Sequence, residues 1–77
     1  MSPFYFHVHE GDQLLRDRKG TELEDEAAVR FEARFVARNL VAQAICADTK
    51  INGREIVVEN EAGADVLHLP VQDVLKL

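Results

Sequence analysis

The chain of 77 residues carries nine basic and fourteen acidic side chains, a formal net charge of −5, and is long enough for one domain only. This charge argues against nucleic acid as a partner, because proteins that bind phosphate backbones present a basic face. A single cysteine cannot form an internal disulfide, and the longest uncharged apolar run, residues 39–47, is far shorter than the roughly 20 residues that span a membrane. With no signal-peptide pattern at the start, we expect a single cytoplasmic domain over residues 1–77 with no membrane contact.

The first predicted element is a strand near the start of the chain. Aromatic and β-branched residues alternate there with polar ones, which is typical of a half-buried strand. One face carries Phe4, Phe6 and Val8, and the other carries Tyr5, His7 and His9. After a turn at residues 10–12, residues 14–16 are a short strand candidate. Residues 17–20 form a second turn, in which Gly20 is expected to adopt a positive φ.

A long helix is predicted from Asp25 to about Asp48, because only this segment sustains helical periodicity. Two N-caps are possible: Thr21, with Glu24 in a capping box, or Asp25, which directly precedes the alanine-rich run. We favour Asp25, which leaves Leu23 outside the helix to pack on the sheet.

A β-hairpin is predicted from residues 54–60 and 65–69 around a turn at Ala62-Gly63. This turn agrees with the hydrophobic pattern, since each facing pair then lies on one side of the sheet. The predicted pairs are Val58 with Leu67, Val57 with His68, and Ile56 with Leu69.

The remaining segments link or end these elements. Residues 48–51 should end the helix before an Asn52-Gly53 turn, Pro70 should end the last strand at a sheet edge, and residues 71–75 can form one helical turn. The predicted fold is therefore α+β, an antiparallel sheet of three to four strands in the order β-β-α-β-β with one long helix packed on one face.

The predicted helix has more apolar surface than one sheet can bury. One arc contains Ala28, Phe31, Phe35, Ala42 and Cys46, and a second contains Val29, Ala33, Val36, Leu40 and Ala47. We therefore expect a homodimer with Phe31, Phe35, Ala42 and Cys46 in its interface. The alternative is that Leu14, Leu15 and the tail from Val71 to Leu77 cover this arc within one chain.

Two groups of polar residues are candidate binding sites. Arg30, Arg34 and Arg38 form a ridge along the helix, which is either a solvated face or a docking site for an acidic partner. The histidines His7, His9 and His68 are expected on the outer sheet face among carboxylates. They are candidates for a metal or small-ligand site, against the simpler interpretation of a solvated polar face.

No catalytic constellation is visible. The sequence has no glycine-rich phosphate loop, nucleophile elbow or zinc-knuckle spacing. Cys46 lies on an apolar arc, where we expect a buried small hydrophobe rather than a nucleophile. We therefore expect a protein that is not an enzyme and has no cofactor.

A family pattern extends along nearly the whole chain. It consists of Phe4-Tyr5-Phe6-His7-Val8, Gly11, Asp17, Gly20, Glu22-Leu23, Asp25, the run from Ala28 to Leu40, Glu61-Ala62-Gly63, Leu67 and Leu69-Pro70. In these residues the chain resembles a family of short bacterial proteins catalogued as a domain of unknown function. Its motifs are turn glycines and strand aromatics, which carry no chemistry. The chain departs from the pattern at Glu24, where the family often has proline, and at Phe31 and Phe35, where it has alanine or leucine.

An alanine-rich helix after an antiparallel sheet is also similar in arrangement to HicB-type antitoxins of bacterial toxin-antitoxin pairs. That resemblance implies a regulator with a toxin partner, although such antitoxins usually carry a separate DNA-binding segment. We expect a protein-interaction or regulatory module that acts as a homodimer. Metal or ligand binding and antitoxin-type regulation are the alternatives, and the sequence does not specify a protein partner.

Overall fold

The elements of the fold are five strands, one long helix and a C-terminal 3₁₀ turn, seen in a computed structural model that describes residues 1–47 and 53–75. In chain order they are β1 (Ser2–Glu10), β2 (Gln13–Leu15), β3 (Thr21–Leu23), α1 (Glu26–Ala47), β4 (Arg54–Glu59), β5 (Asp65–Pro70) and the 3₁₀ turn (Val71–Leu75). The predicted α+β class is confirmed, and the predicted strands and helix occur in the predicted order, with β3 as an additional short strand before the helix. The prediction for residues 48–52 lies outside the described residues.

Strand β1 organises an antiparallel sheet in the order β2-β1-β4-β5. Its residues Tyr5 to Glu10 pair with β4. Its C-terminal end also pairs with β2, while its N-terminal end pairs with β3. The sequence predicted three to four strands and missed β3, in which Thr21 pairs with Phe4 instead of capping the helix.

The hairpin of β4 and β5 has the predicted register at its three central pairs. The register shifts between Val58 and Glu59, so that Glu59 pairs with Asp65. Asn60 holds the tight turn, because its Oδ1 accepts the backbone N–H groups of Ala62 at 3.0 Å and Ala64 at 2.9 Å. Such a side-chain turn is favoured by asparagine.

Helix α1 is capped by Asp25, the N-cap that we favoured from the sequence. The Oδ1 atom of Asp25 accepts the N–H of Ala28 at 2.9 Å, which satisfies one of the free donors of the first turn. The helix packs on the sheet through small residues spaced three or four apart: Val29, Ala33, Ala37, Val41 and Ala44. Alanines at the contact let the helix approach the sheet closely. They pack against Phe6, Ile56, Val58 and Val71.

The buried stripe of α1 differs in part from the predicted one. Val36 and Leu40 are only partly buried and Ala47 is exposed, whereas Ala37, Val41 and Ala44 are buried. The helix is therefore rotated toward its smallest side chains. Within the described residues, no helix is both long and apolar enough to cross a lipid bilayer.

Candidate interaction surface

The side of α1 opposite the sheet exposes two large aromatic side chains. Phe31 is 72 % exposed and Phe35 is 53 % exposed, while Ala33 and Ala37 are completely buried. Because each residue advances a helix by about 100°, a position two residues from a buried one lies on nearly the opposite side. The phenylalanines therefore point away from the sheet and the core.

Further apolar side chains continue this surface toward the end of α1. Ala42 and Cys46 are exposed, and so is the adjacent Ile45, at 73 %. We call the set Phe31, Phe35, Ala42 and Cys46 the outward helix face. The expectation that Cys46 is buried is wrong within one chain, because its position is turned away from the sheet.

Leu14, Leu15 and the C-terminal tail are the alternative, predicted from the sequence, that could cover this arc within one chain. In the structure they do not enclose the outward helix face. Leu14 and Leu15 lie in β2 and are themselves 37 % and 55 % exposed. Val71 is completely buried, but in the core cluster on the sheet side of α1. The last two residues of the tail lie outside the described part. Among the described residues, the outward helix face is thus left open.

The arginine ridge flanks the outward helix face. Arg30, Arg34 and Arg38 are all exposed, and none of them has an ion-pair partner among residues 1–47 and 53–75. Glu32 lies on the other flank and is partly buried. The outward face therefore has a basic border on one side and an acidic residue on the other.

On the opposite side of the sheet, His7 is buried rather than solvated, with 6 % of its surface exposed. Its Nδ1 accepts the backbone N–H of Asp17 at 3.0 Å, so the ring proton lies on Nε2, which donates to Glu59 Oε1 at 2.7 Å. The ring also stacks on Tyr5 with 6.5 Å between centroids. Both nitrogens are engaged, which leaves neither free as a metal ligand in this arrangement.

Asp17 fixes the loop between β2 and β3 against β1. Its carboxylate accepts backbone N–H groups from Phe6 at 3.1 Å, Lys19 at 3.1 Å and Gly20 at 3.2 Å. Burial alone would raise the pKa of this carboxyl group, but the hydrogen bonds from these three N–H groups outweigh it, and the pKa lies below 3.8. An aspartate three residues before a turn glycine is the sequence signal for this arrangement.

The other two histidines, His9 and His68, do not form a common site with His7. His68 and His7 lie on opposite sides of Val57 in the sheet, about 10 Å apart at two strand spacings. The His68 ring contacts Glu55 at 3.5 Å and Asp65 at 3.2 Å, and His9 pairs across the strands with Glu55. In the part of the chain that the structure describes, no group of three or more metal-ligating side chains is placed to hold an ion.

Gly20, in the same loop, has a backbone conformation and surroundings that disfavour any side chain. Its φ of +74° disfavours other residues, and a Cβ would lie 2.9 Å from Tyr5 Cε1. We expect Gly20→Ala to lower the free energy of unfolding by about 1 to 2 kcal/mol more than Gly11→Ala, since Gly11 has a φ of +60° and open space around it. Urea denaturation of both variants measures this difference. Equal losses of unfolding free energy in the two variants would show that the close approach of the new Cβ to the Tyr5 ring is not destabilising.

The fold and these surfaces define a small α+β domain, an antiparallel sheet with one face covered by a helix whose outer side is apolar. Residues 4–72 match the family described as Domain of unknown function (DUF6894), and the chain belongs to that family. The resemblance in the sequence pattern is thereby confirmed. No curated protein and no solved structure matches the chain.

Proposed function

We propose that this protein is a non-catalytic interaction module that forms a homodimer through the outward helix face. The observation that carries the proposal is the exposure of Phe31 and Phe35 on a helix whose opposite side packs against the sheet. Isolated exposed apolar residues are common on protein surfaces. The two phenylalanines lie one turn apart, with the exposed Ala42 and Cys46 further along the same side of the helix. Large exposed aromatic side chains of this kind are typical of protein interfaces.

The energy available from this face suits a reversible dimer. A phenylalanine side chain has about 200 Å² to bury, so burial of the exposed part gives about 2 to 3 kcal/mol per ring, or roughly 10 kcal/mol for the four rings of two chains. Association costs on the order of 4 to 15 kcal/mol. Burial of the four rings therefore offsets a large part of this cost, and contacts from Ala42, Ile45 and Cys46 add to it.

The charges beside the outward helix face favour one orientation of the two copies. If the two-fold axis runs parallel to the helices, the flank with Arg34 and Arg38 faces the flank of the second copy that carries Glu32. If the helices are antiparallel, the arginine flanks face each other. Opposite charges across an interface favour the orientation that pairs them. We therefore propose that the two helices are parallel, with equivalent residues of the two copies side by side along the helix axis.

Cys46 provides a test of this orientation. In parallel helices the two Cys46 thiols lie at the same height near the axis, whereas in antiparallel helices they lie at opposite ends of the contact. Because the chain has one cysteine, any disulfide between protein chains joins Cys46 to Cys46. We expect mild oxidation with copper phenanthroline at micromolar protein concentration to give a covalent dimer on non-reducing gels.

The cross-linking experiment has two controls. Cys46→Ser must give no covalent dimer, and Phe31→Asp in the presence of Cys46 should greatly reduce it. If the dimer band forms equally well in the Phe31→Asp variant, the thiols meet by random collision and the proposed interface is wrong.

A further inference from the structure

A cleft opens between the first turns of α1 and the end of the sheet where β1 starts and the β4–β5 hairpin turns. Its volume is about 410 Å³, within the range of roughly 300 to 1,000 Å³ for small-molecule sites. The larger apolar residues of its lining are Phe4 from β1, Val29 from α1, and Val66 and Leu67 from β5. The cleft lies on the sheet side of α1, away from the outward helix face.

The rim of the cleft carries charges of both signs. Glu26 and Arg30 lie on α1 and Glu61 lies in the hairpin turn, and all three line the cleft and are exposed. None of the three has an ion-pair partner in the described ranges. One guanidinium and two carboxylates are thus free to bind a ligand above an apolar floor.

Asn60 adds a neutral hydrogen-bond donor to the rim. Its Oδ1 is occupied by the N–H groups of Ala62 and Ala64, which fixes the orientation of the amide. The Nδ2 group then remains as a donor at the cleft that Asn60 lines. The rim therefore offers donors from Arg30 and Asn60, and acceptors from Glu26 and Glu61.

We propose that this cleft binds an apolar α-amino acid as its zwitterion. The carboxylate of such a ligand fits Arg30, which can bind it through two parallel hydrogen bonds. Its ammonium group fits Glu26 and Glu61, and its side chain fits the floor of Phe4, Val29 and Leu67. An amphiphile with only a negative charge would meet two carboxylates, and one with only a positive charge would meet Arg30.

Titration of the ¹⁵N-labelled chain, followed by amide chemical shifts, tests the proposal. The probes are L-phenylalanine and L-leucine, with phenylacetate and phenethylamine as analogues that each lack one of the two charges. We expect saturable shifts confined to the residues around the cleft. We also expect L-phenylalanine to bind at least about fivefold more tightly than either analogue, since each analogue loses one charged hydrogen-bonding group at an exposed rim.

Two variants assign the binding to the cleft. Arg30→Gln should weaken L-phenylalanine binding about tenfold, whereas Arg18→Gln, in the loop between β2 and β3 and outside the cleft, should leave it unchanged. Both substitutions are at exposed positions, and the dispersion of the amide spectrum shows whether each variant is folded. Absence of saturable shifts at the cleft, equal binding of an analogue, or equal binding by Arg30→Gln would overturn the proposal.

Discussion

Replacement of both Phe31 and Phe35 by aspartate is expected to make the protein monomeric, with self-association weakened more than 100-fold. The double change removes the largest apolar groups of the outward helix face, which are 72 % and 53 % exposed in one chain. It also brings four carboxylates together in the dimer, where charges without partners are costly to desolvate. A 100-fold loss corresponds to about 2.7 kcal/mol, well below the roughly 10 kcal/mol available from four rings.

The matched control is the double variant Leu15→Asp with Val66→Asp. These residues are 55 % and 43 % exposed, and the change adds the same charge at positions outside the outward helix face. Light scattering after size exclusion should show the control at the wild-type mass and the phenylalanine variant at the mass of one chain. If both variants keep the wild-type mass, the phenylalanines do not hold the copies together.

Removal of the Asp17 carboxylate is expected to have the largest effect on stability among the loop positions. Asp17→Ala leaves the backbone N–H groups of Phe6, Lys19 and Gly20 without their acceptor. At about 1 kcal/mol for each such bond, and more where the acceptor is charged, the loss is about 2 to 4 kcal/mol. That is a large share of the stability of a small domain and lowers the Tm by roughly 10 to 25 °C.

Asp12→Ala serves as the control, because Asp12 is exposed in the β1–β2 turn and surface changes of this kind are usually within about 0.5 kcal/mol. The loss of unfolding free energy for Asp17→Asn should lie between those for Asp12→Ala and Asp17→Ala, since the asparagine amide keeps one acceptor oxygen. Urea unfolding followed by circular dichroism measures all three variants. A loss for Asp17→Ala no greater than for Asp12→Ala would contradict the role that we assign to the carboxylate.

The same carboxylate makes stability depend on pH in the acid range. Its pKa in the folded protein is below 3.8, so in acid the unfolded chain takes up the proton first. Its stabilising contribution is complete well above pH 3.8 and is lost as the pH falls through the folded pKa. The difference in unfolding free energy between wild type and Asp17→Asn should therefore shrink between about pH 5 and about pH 2. A constant difference would mean that ionisation of Asp17 plays no part.

The sequence predicted the fold where local patterns and packing agree. The alternation in β1, the Asp25 cap and the central hairpin pairs are each set by neighbouring residues, and the structure has them all. Strand β3 was missed because its three residues carry no strand pattern and pair with β1 only through tertiary contact. The rotation of α1 toward Ala37 and Ala44 was missed for a similar reason. The prediction followed the spacing of large apolar side chains, whereas close packing of the helix on the sheet places small side chains at the contact.

The surfaces were predicted less completely than the fold. The two arcs of the helix predicted that the arc with Phe31, Phe35 and Cys46 would be covered either within the chain or by a second copy, and the described part of the chain leaves all three exposed. The burial of His7 was not predictable from alternation, because it depends on the Asp17 loop folding over that face. The cleft between α1 and the hairpin has no local signal at all, since its lining comes from three separate elements.

Sedimentation equilibrium of the wild-type chain over a range of micromolar concentrations tests self-association through the outward helix face most directly. We expect the mass to rise with concentration toward twice the 8.7 kDa of one chain, and to stay at 8.7 kDa for the Phe31→Asp, Phe35→Asp variant at every concentration. A wild-type mass that remains at 8.7 kDa up to millimolar concentration would contradict the proposed homodimer.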